Sequence, residues 1–451
     1  MAGFNENTRV KFPALMHLTR IGYTYHALKE LDLDPETNIA KDIFARQIRK
    51  FNPQLTEESI SLLIGDIRNK LNNEDLGREF YRMISSKSGI KFIDFEHPET
   101  NDWTCVTEMP CINGGDEFRP DITLLINGLP LVFIEVKKPN NKGGILVELY
   151  RMNDQRLPNP KFRRFINLTQ LMIFSDNKEY DFTTSKPVQG AFYGCIDKKR
   201  MHFNVFREES ADFYKDFNYL TLKEEAENYI LKDNNNIVLK SSPEYETDKN
   251  PTTPTNRIIT SLCSRDRLLY LLRYGFVYLD YIDEDTQKHV LQKHVMRYPQ
   301  LFGTQAIRKT IDDGKQSGII WHTQGSGKTA LSYFATRVLT DYFTKKQIIP
   351  KFYFFVDRLD LMEQATTEFS NRGLHVINVE NRDELMNTFS NEKAQENNSG
   401  EHEIIVVNIQ KLKDSDGKIN VSKYATNIQR VYFLDEAHRD YNPKGSFLSR
   451  L

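Results

Sequence analysis

The stretch that decides the fold is RPDITLLINGLPLVFIEVKKP, Arg119 to Pro139. Two apolar runs rich in Ile, Leu and Val flank Asn127-Gly128, a dipeptide that accepts the positive φ angles of a tight turn, so the pattern predicts a β-hairpin. Glu135 and Lys137 lie two residues apart on the second predicted strand and therefore share one face, while the hairpin brings the strand that carries Asp121 alongside. Three polar side chains are thus predicted to converge.

Asp121, Glu135 and Lys137 together predict metal-dependent phosphodiester hydrolysis. Paired carboxylates bind one or two Mg²⁺ ions, which polarise a phosphate and generate hydroxide from water, and an adjacent lysine positions that water or steadies developing charge. The order Asp, then E-x-K, has the form of a PD-(D/E)xK nuclease, with Pro120 before the Asp. The alternative is that these are ordinary solvated residues at a strand edge. Under the nuclease hypothesis all three are catalytic, and Asp121 and Glu135 are the metal ligands.

A second motif, IIWHTQGSGKT, runs from Ile319 to Thr329 and predicts a strand, a glycine-containing loop and the start of a helix. Glycines let backbone N–H groups approach phosphates, Lys328 supplies a cation, and the Thr329 hydroxyl offers a ligand to Mg²⁺. The general pattern has Gly where this chain has His322, a position that helicase-like ATPases relax. The predicted nucleotide-binding residues of this loop are Thr323, Gly325, Ser326, Gly327, Lys328 and Thr329.

A third motif, VYFLDEAH, is an apolar run that ends in two carboxylates. Asp435 is predicted to hold Mg²⁺, Glu436 to activate the attacking water, and His438 to couple the nucleotide site to the rest of a motor. Alone, an Asp-Glu pair after a strand is often a solvated turn. Paired with the upstream loop, the motif resembles superfamily 2 helicases and translocases, and this resemblance identifies Gln300 in RYPQ as the adenine-reading glutamine, although a purely structural turn is the alternative.

The spacing of apolar residues along the chain predicts its architecture. In the second half of the chain, apolar runs alternate with helical patterns, which is typical of a parallel sheet covered on both faces. The predicted strands are GIIWH, KFYFFVD, HVINV, EIIVVN and RVYFLDEA. We predict a nuclease domain over 1–231, a polar linker over 232–256, a nucleotide-binding domain over 257–451, and a surface loop from Asn391 to Glu403.

The whole stretch 119–139, with WHTQGSGKT and DEAHR, resembles the restriction subunit of type I restriction-modification enzymes. The resemblance implies an α/β chain in which a mixed α/β restriction-endonuclease-like domain precedes a RecA-like parallel α/β domain. It also implies ATP-dependent translocation along double-stranded DNA and its endonucleolytic cleavage, with ATP and Mg²⁺ as cofactors. The implied partners are methyltransferase and specificity subunits, and S-adenosylmethionine belongs only to that partner complex.

The chain departs from this family in the segment after E-x-K. Many members carry Gln-x-x-x-Tyr there, whereas residues 147–156 read VELYRMNDQR. This puts the DNA contacts in question. Nearby Lys161, Arg163 and Arg164 are candidates for phosphate contacts or a plain solvated charge cluster.

Composition limits the number of domains and the class of protein, but it does not decide the function. A chain of 451 residues is too long for a single hydrophobic core, so two or more domains are expected. Lys+Arg 61 balance Asp+Glu 62, so net charge does not indicate a nucleic-acid partner. The 4 cysteines, without a CxxC pair, exclude a disulfide scaffold. With no run of about 18 apolar residues, we expect a cytoplasmic protein without a membrane span. A second RecA-like lobe is not seen before Leu451, so we expect ATP binding with poor hydrolysis. Two rival functions stay open: a DNA-repair nuclease-helicase without methyltransferase partners, and a non-catalytic ATP-gated DNA-binding module.

Overall fold

The computed structural model describes residues 5–113, 115–181, 183, 189–197, 199–283, 286–323, 325–390, 402–409 and 428–435. The chain divides into two compact units. The first comprises Met1–Tyr278 and Leu291–Met296, and the second comprises Leu279–Val290 and Arg297–Leu451.

The first unit is built on a mixed sheet. Its strands are β1 (Thr24–Tyr25), β2 (Trp103–Thr107), β3 (Cys111–Asn113), β4 (Asp116–Phe118), β5 (Ile122–Ile126), β6 (Leu129–Val136), β7 (Leu171–Ser175), β8 (Ala191–Asp197), β9 (Arg200–Val205), β10 (Phe276–Ile282) and β11 (His289–Val295). The nine-stranded sheet has the order β1-β2-β5-β6-β7-β8-β11-β10, with β9 pairing with β8, and β3 and β4 form a separate pair. The tip of the β10–β11 hairpin, Leu279–Val290, belongs to the second unit.

The first unit also contains helices. Those of the first unit are α1 (Phe12–Arg20), α2 (Lys41–Phe51), α3 (Glu57–Leu71), α4 (Arg78–Ser85), α5 (Leu146–Arg151), α6 (Arg163–Leu168), α7 (Phe213–Asp216), α8 (Glu224–Asp233), α9 (Pro243–Asp248), α10 (Pro254–Cys263) and α11 (Arg265–Tyr270). A helical turn, Met152–Arg156, continues directly from α5.

The predicted hairpin is confirmed. β5 and β6 pair in antiparallel fashion around Asn127 and Gly128, whose φ angles are 53° and 81°. Every residue of both strands is buried. Because successive side chains of a strand point to opposite faces, this continuous burial means that both faces of the sheet are covered here.

The segment predicted as a linker differs from the expectation. Residues 232–256 contain the helical turn Ile237–Ser241, helix α9 and the start of α10, and they belong to the first unit. Leu239 and Tyr245 are each only 1% exposed. The few apolar side chains in this polar stretch are enough to anchor it, and the boundary between the units falls near Tyr278 instead.

The second unit contains a four-stranded parallel sheet. Its strands are β12 (Ile349–Val356), β13 (His375–Val379), β14 (Glu403–Asn408) and β15 (Ile428–Leu434), in the order β13-β14-β12-β15. All three pairings are parallel. Its helices are α12 (Tyr298–Asp312), α13 (Lys328–Lys345), α14 (Leu359–Asn371) and α15 (Arg382–Ser390). Four of the five predicted strands and the predicted helix after Lys328 are therefore confirmed, which gives a parallel α/β unit.

The fifth predicted strand, GIIWH, is not a strand in the structure. Ile319 and Trp321 are 88% and 89% exposed, and residues 316–323 carry no regular secondary structure. An apolar run becomes a strand only where a neighbouring strand completes its backbone hydrogen bonds. Most of the predicted loop from Asn391 to Glu403 lies outside the described residues. Among the helices that are described, none has the length and apolar character needed to cross a membrane.

Candidate active site

The β5–β6 hairpin places two carboxylates side by side. Ile122 pairs with Ile134 across the ladder, so Asp121, immediately before β5, lies opposite Glu135. Oδ2 of Asp121 accepts a hydrogen bond from the backbone N–H of Val136 at 2.9 Å. Asp121 is 8% exposed and Glu135 is 3% exposed, so both acids are held in the interior rather than in solvent.

Lys137 completes the predicted group of three. Its backbone N–H continues the sheet by donating to the Ser175 carbonyl at 2.8 Å. Its Nζ donates to the Val136 carbonyl at 2.8 Å and lies 3.3 Å from carboxylate oxygens of Glu6 and Glu148. The structure thus brings Asp121, Glu135 and Lys137 to one place, and their catalytic and metal-binding roles stay predictions.

The pKa values of the charged groups around Asp121 are shifted because several acids are buried close together. Burial, and then the charge of Asp121, raise the pKa of the Glu135 carboxyl well above its ordinary value, although Arg156 acts in the opposite direction. The same two causes raise the pKa of Glu6. Burial lowers the pKa of Lys137, but the carboxylates of Glu148 and Asp121 outweigh it and the net direction is upward. Close, desolvated acids repel each other, and a cation between them would relieve that repulsion.

Besides Glu6, three further charged residues surround the predicted three. Lys11 is 2% exposed, and its Nζ lies 3.8 Å from Oδ1 of Asp121. Glu148, on α5, is fully buried and contacts Lys137 and Arg156, both at 3.3 Å. Arg156 donates to Oε1 of Glu135 at 2.8 Å.

Sequence reasoning missed these residues. Glu148 and Arg156 lie in the segment that lacks Gln-x-x-x-Tyr, and the available signal was an acid and a base in the helix that follows E-x-K. Glu6 and Lys11 come from the N-terminal helical region, whose position beside the hairpin no sequence pattern predicts.

The basic residues Lys161, Arg163 and Arg164 are all paired with acids. Lys161 lies 3.3 Å from Asp116, Arg163 lies 2.6 Å from Glu74, and Arg164 pairs with Glu36. Exposed ion pairs of this kind contribute little to the stability of the fold. The geometry favours the charge-cluster alternative for these three residues over dedicated phosphate contacts.

In the second unit, two glycines of the predicted phosphate-binding loop have left-handed backbone conformations. Gly325 and Gly327 have φ angles of 73° and 86°, and Gly327 caps α13, which begins at Lys328. A Cβ at Gly327 would meet Nε2 of Gln300 at 2.5 Å and displace the end of that side chain, while the left-handed backbone favours glycine there. Ser326 is 8% exposed, and its buried Oγ has no hydrogen-bond partner among the described residues.

Lys328 and Thr329 open the first turn of α13, as predicted. Thr323 closes the loop from the other side, since its carbonyl accepts from the N–H of Ser326 at 3.2 Å. Burial and the charge of Lys328 lower the pKa of His322, which places this substituted position close to the lysine. The side of the loop that presents the helix N-terminus favours negative charge.

Gln300, the predicted adenine reader, is buried and hydrogen-bonded within the second unit. It is 3% exposed, its Nε2 donates to the Ser326 carbonyl at 2.7 Å, and its Oε1 accepts from the N–H of Arg297 at 2.8 Å. The carboxamide therefore ties α12 to the glycine loop. Reading adenine stays a prediction, and it would need this amide to change partners.

Asp435 follows β15, and its N–H donates to the Phe355 carbonyl of β12 at 3.1 Å. This puts it at the carboxyl end of a parallel strand, the edge at which ligands of open α/β sheets bind. Glu436 and His438 lie outside the described residues. Among the residues that the structure describes, no group of three or more His, Cys, Asp or Glu side chains is arranged to hold a metal ion. A metal ion at the nuclease site would therefore be held by the carboxylates of Asp121 and Glu135, together with backbone oxygen and water.

The two units define a chain that joins a nuclease-type mixed α/β unit to a P-loop ATPase-type unit. Comparison with known families agrees with this division. Residues 3–189 match the model of the type I restriction enzyme R protein N terminus, and residues 299–446 match that of the SWI2/SNF2 ATPase.

Two of the similar proteins are endonuclease subunits of type I restriction enzymes. The type I restriction enzyme HindI endonuclease subunit of Haemophilus influenzae is 25% identical over 96% of this chain and 39% of its own length. The type I restriction enzyme SauMSSORF170P endonuclease subunit of Staphylococcus aureus is 25% identical over 74% of this chain and 29% of its own length. The chain thus spans well under half the length of these relatives. It is similar to the R subunits of type I restriction enzymes through its first unit and to SWI2/SNF2 ATPases through its second.

Proposed function

We propose that this chain provides the nuclease and the nucleotide-binding unit of a type I restriction subunit, which translocates double-stranded DNA at the expense of ATP and cuts it. The observation that carries the proposal is the pair of buried carboxylates, Asp121 and Glu135, on adjacent strands of the hairpin with Lys137 beside them. Similarity to the N terminus of type I restriction enzyme R proteins and to type I endonuclease subunits supports the reaction class.

The residues present fit a divalent cation. Burial, and then the charge of Asp121, raise the pKa of the Glu135 carboxyl, which is the situation that a bound cation stabilises. Carboxylate and carbonyl oxygens are the ligands that Mg²⁺ prefers. When bound, the ion would polarise the scissile phosphate and lower the pKa of a water molecule.

The chain's own side chains then divide the remaining work. Asp121 and Glu135 hold the ion, and the backbone N–H of Val136 fixes the orientation of the Asp121 carboxylate. Lys137 keeps its proton because the surrounding carboxylates raise its pKa, so it is suited to orient a water or to stabilise negative charge on a phosphate oxygen.

In the nucleotide-binding unit, the loop around Gly325 and Gly327 and the side chain of Lys328 would bind the phosphates of ATP. Thr329 and Asp435 would hold the Mg²⁺ that accompanies ATP, and Glu436 would act on the attacking water. Methyltransferase and specificity subunits would supply sequence recognition, and S-adenosylmethionine would be their cofactor. The cytoplasm is the proposed place of action.

The test is Mg²⁺-dependent cleavage of plasmid DNA by the chain, supplemented with the candidate methyltransferase and specificity subunits and with the remainder of the motor. Asp121→Asn, Glu135→Gln and Lys137→Ala are each expected to lower cleavage by about a hundredfold or more, because each removes a group that acts on the transition state.

Asp66→Asn, a change of an exposed acid on α3, is the matched control and should cut like the wild type. ATP binding should persist in all four variants. Undiminished cutting by Asp121→Asn and Glu135→Gln would place the nuclease site elsewhere. Cutting that needs no partner subunits and ignores methylation would favour the repair nuclease-helicase instead.

A further inference from the structure

The segment after E-x-K places a guanidinium on one of the candidate metal-binding carboxylates. Nη1 of Arg156 lies 2.8 Å from Oε1 of Glu135 and 3.3 Å from Oε2 of Glu148. The side chains of Glu135 and Glu148 are 4% and 0% exposed. One nitrogen of Arg156 therefore bridges two buried carboxylate oxygens, which is the position that a cation shared by the two acids would take.

Arg156 is held in this position by packing. Its Cζ lies 3.8 Å from the centre of the Phe118 ring, and Nη1 lies 3.7 Å from Sδ of Met152. Phe118 is itself fixed by edge contacts with Phe133 and Phe165. A planar guanidinium stacked on an immobile ring is pre-organised, unlike a solvated surface arginine.

Glu148 depends on this guanidinium. Its Oε1 lies 2.6 Å from Arg151 and 3.3 Å from Lys137. Its Oε2 is buried without a hydrogen bond to any described residue, and it faces Arg156 at 3.3 Å. Without a cation at that point, Glu135 and Glu148 would face each other across a desolvated gap, an arrangement that strongly disfavours two ionised acids.

We propose that Arg156 is a positioning residue that fills the place of a second metal ion, so that the nuclease site takes a single divalent cation, held by Asp121 and Glu135. The inference rests on the proposed nuclease function. Arg156 acts through Glu135: it occupies Oε1 and leaves the other carboxylate oxygen for the ion. The fixed charge of the guanidinium replaces what a second ion supplies in sites that use two.

The experiment counts Mn²⁺ ions bound to the 451-residue chain, without nucleotide and at alkaline pH, by the electron paramagnetic resonance signal of free Mn²⁺. Asp121→Asn measures ions bound elsewhere and is subtracted. The wild type is then expected to bind one ion at the nuclease site. Arg156→Met keeps an apolar stem against Phe118 but removes the charge between the acids, and it is expected to bind one ion more than the wild type.

Arg156→Lys retains a cation and should keep the wild-type count. Arg151→Met is the matched control, because Arg151 also contacts Glu148 but its side chain is 48% exposed, and it too should keep the wild-type count. Circular dichroism identifies variants that do not fold.

Two ions in the wild type would overturn the inference, and this result does not depend on any Arg156 variant folding. An unchanged count in folded Arg156→Met would overturn it as well. If Asp121→Asn binds as many ions as the wild type, the proposed nuclease metal site itself fails, which is a different outcome.

Discussion

Lys293 is a buried cation outside both candidate sites. On β11 it is 3% exposed, its Nζ donates to the Thr169 carbonyl at 2.8 Å, and the rings of Phe276 and Tyr278 lie within 5.9 Å of that nitrogen. Burial lowers its pKa from 10.5 to about 7, against the charges of Asp75 and Cys195, which raise it. A lysine buried this deeply makes the stability of the first unit depend on pH.

The sign follows from proton counting. Between pH 7 and 10.5 the unfolded chain binds the Lys293 proton and the folded chain does not, so the free energy of unfolding rises with pH in this window. The slope from this group approaches about 1.4 kcal/mol per pH unit. Below pH 7 both states are protonated, and the full cost of burying the ammonium is present.

We predict that Lys293→Met removes this slope. Urea unfolding of the first unit can be followed at pH 7, 8 and 9 through Trp103, which is 4% exposed, because the other tryptophan, Trp321, is already 89% exposed. Lys315→Met, a change of an exposed lysine, should keep the wild-type slope. Equal slopes in the wild type and Lys293→Met would show that Lys293 is not neutral in the folded state at high pH.

At the scale of elements, the β5–β6 turn is fixed by more than its own conformation. A Cβ at Gly128 would lie 2.7 Å from the Ala40 carbonyl oxygen and from the Phe44 nitrogen, both backbone atoms of the α2 region. Asn127 donates to the Phe92 carbonyl and to Asn101 at 2.9 and 2.8 Å. The hairpin that carries the candidate acids is therefore locked to α2 by its turn.

We predict that Gly128→Ala lowers the free energy of unfolding of the first unit by about 2–5 kcal/mol, because left-handed strain and a clash with rigid backbone add together. Gly89→Ala is the matched control: Gly89 has a φ of 85° but no atom within 4 Å of the added Cβ. Its cost should be about 1–2 kcal/mol, from strain alone. Equal losses in urea unfolding would mean that the turn is not packed against α2 in solution.

The tie between α12 and the glycine loop gives a second prediction at this scale. Because Gln300 holds the Ser326 carbonyl, Gln300→Ala should loosen the loop and weaken binding of ATP and GTP alike, by about fivefold for one buried hydrogen bond. Fluorescent analogues of both nucleotides measure this. A loss confined to ATP would instead establish that Gln300 reads adenine.

At the scale of the whole molecule, the candidate sites belong to different units. Asp121, Glu135 and Lys137 lie in the first unit, whereas Lys328 and Asp435 lie in the second. Each set is assembled by its own hydrogen bonds, so basal binding at one site does not require the other.

We predict a crossed result in the 451-residue chain. Lys328→Ala should lower ATP affinity by about tenfold or more, by removing the phosphate-binding cation, and leave Mn²⁺ binding at the nuclease site unchanged. Asp121→Asn should abolish Mn²⁺ binding at the nuclease site and leave ATP affinity unchanged. Calorimetric titration of each variant with Mn²⁺ and with an ATP analogue checks both, and a loss of both ligands from either single variant would contradict independent sites.

Much of this protein is determined by sequence alone, because the determinants are local. The Asn127-Gly128 turn, the alternation that puts Glu135 and Lys137 on one side, and the apolar period of α13 depend on residues a few positions apart, and the structure has all three. Turn chemistry and strand or helix period are properties of short segments.

Only the tertiary structure decided which distant groups meet. The contact of Arg156 with Glu135 joins a helical turn to a strand 21 residues earlier, and Glu6 reaches Lys137 from 131 residues away. The partners of Gln300, the anchoring of residues 232–256 and the absence of GIIWH from the sheet are of the same kind. Periodicity says which face of an element a residue occupies, but burial, ion pairing and ladder formation depend on what packs against that face, and that is set by the whole chain.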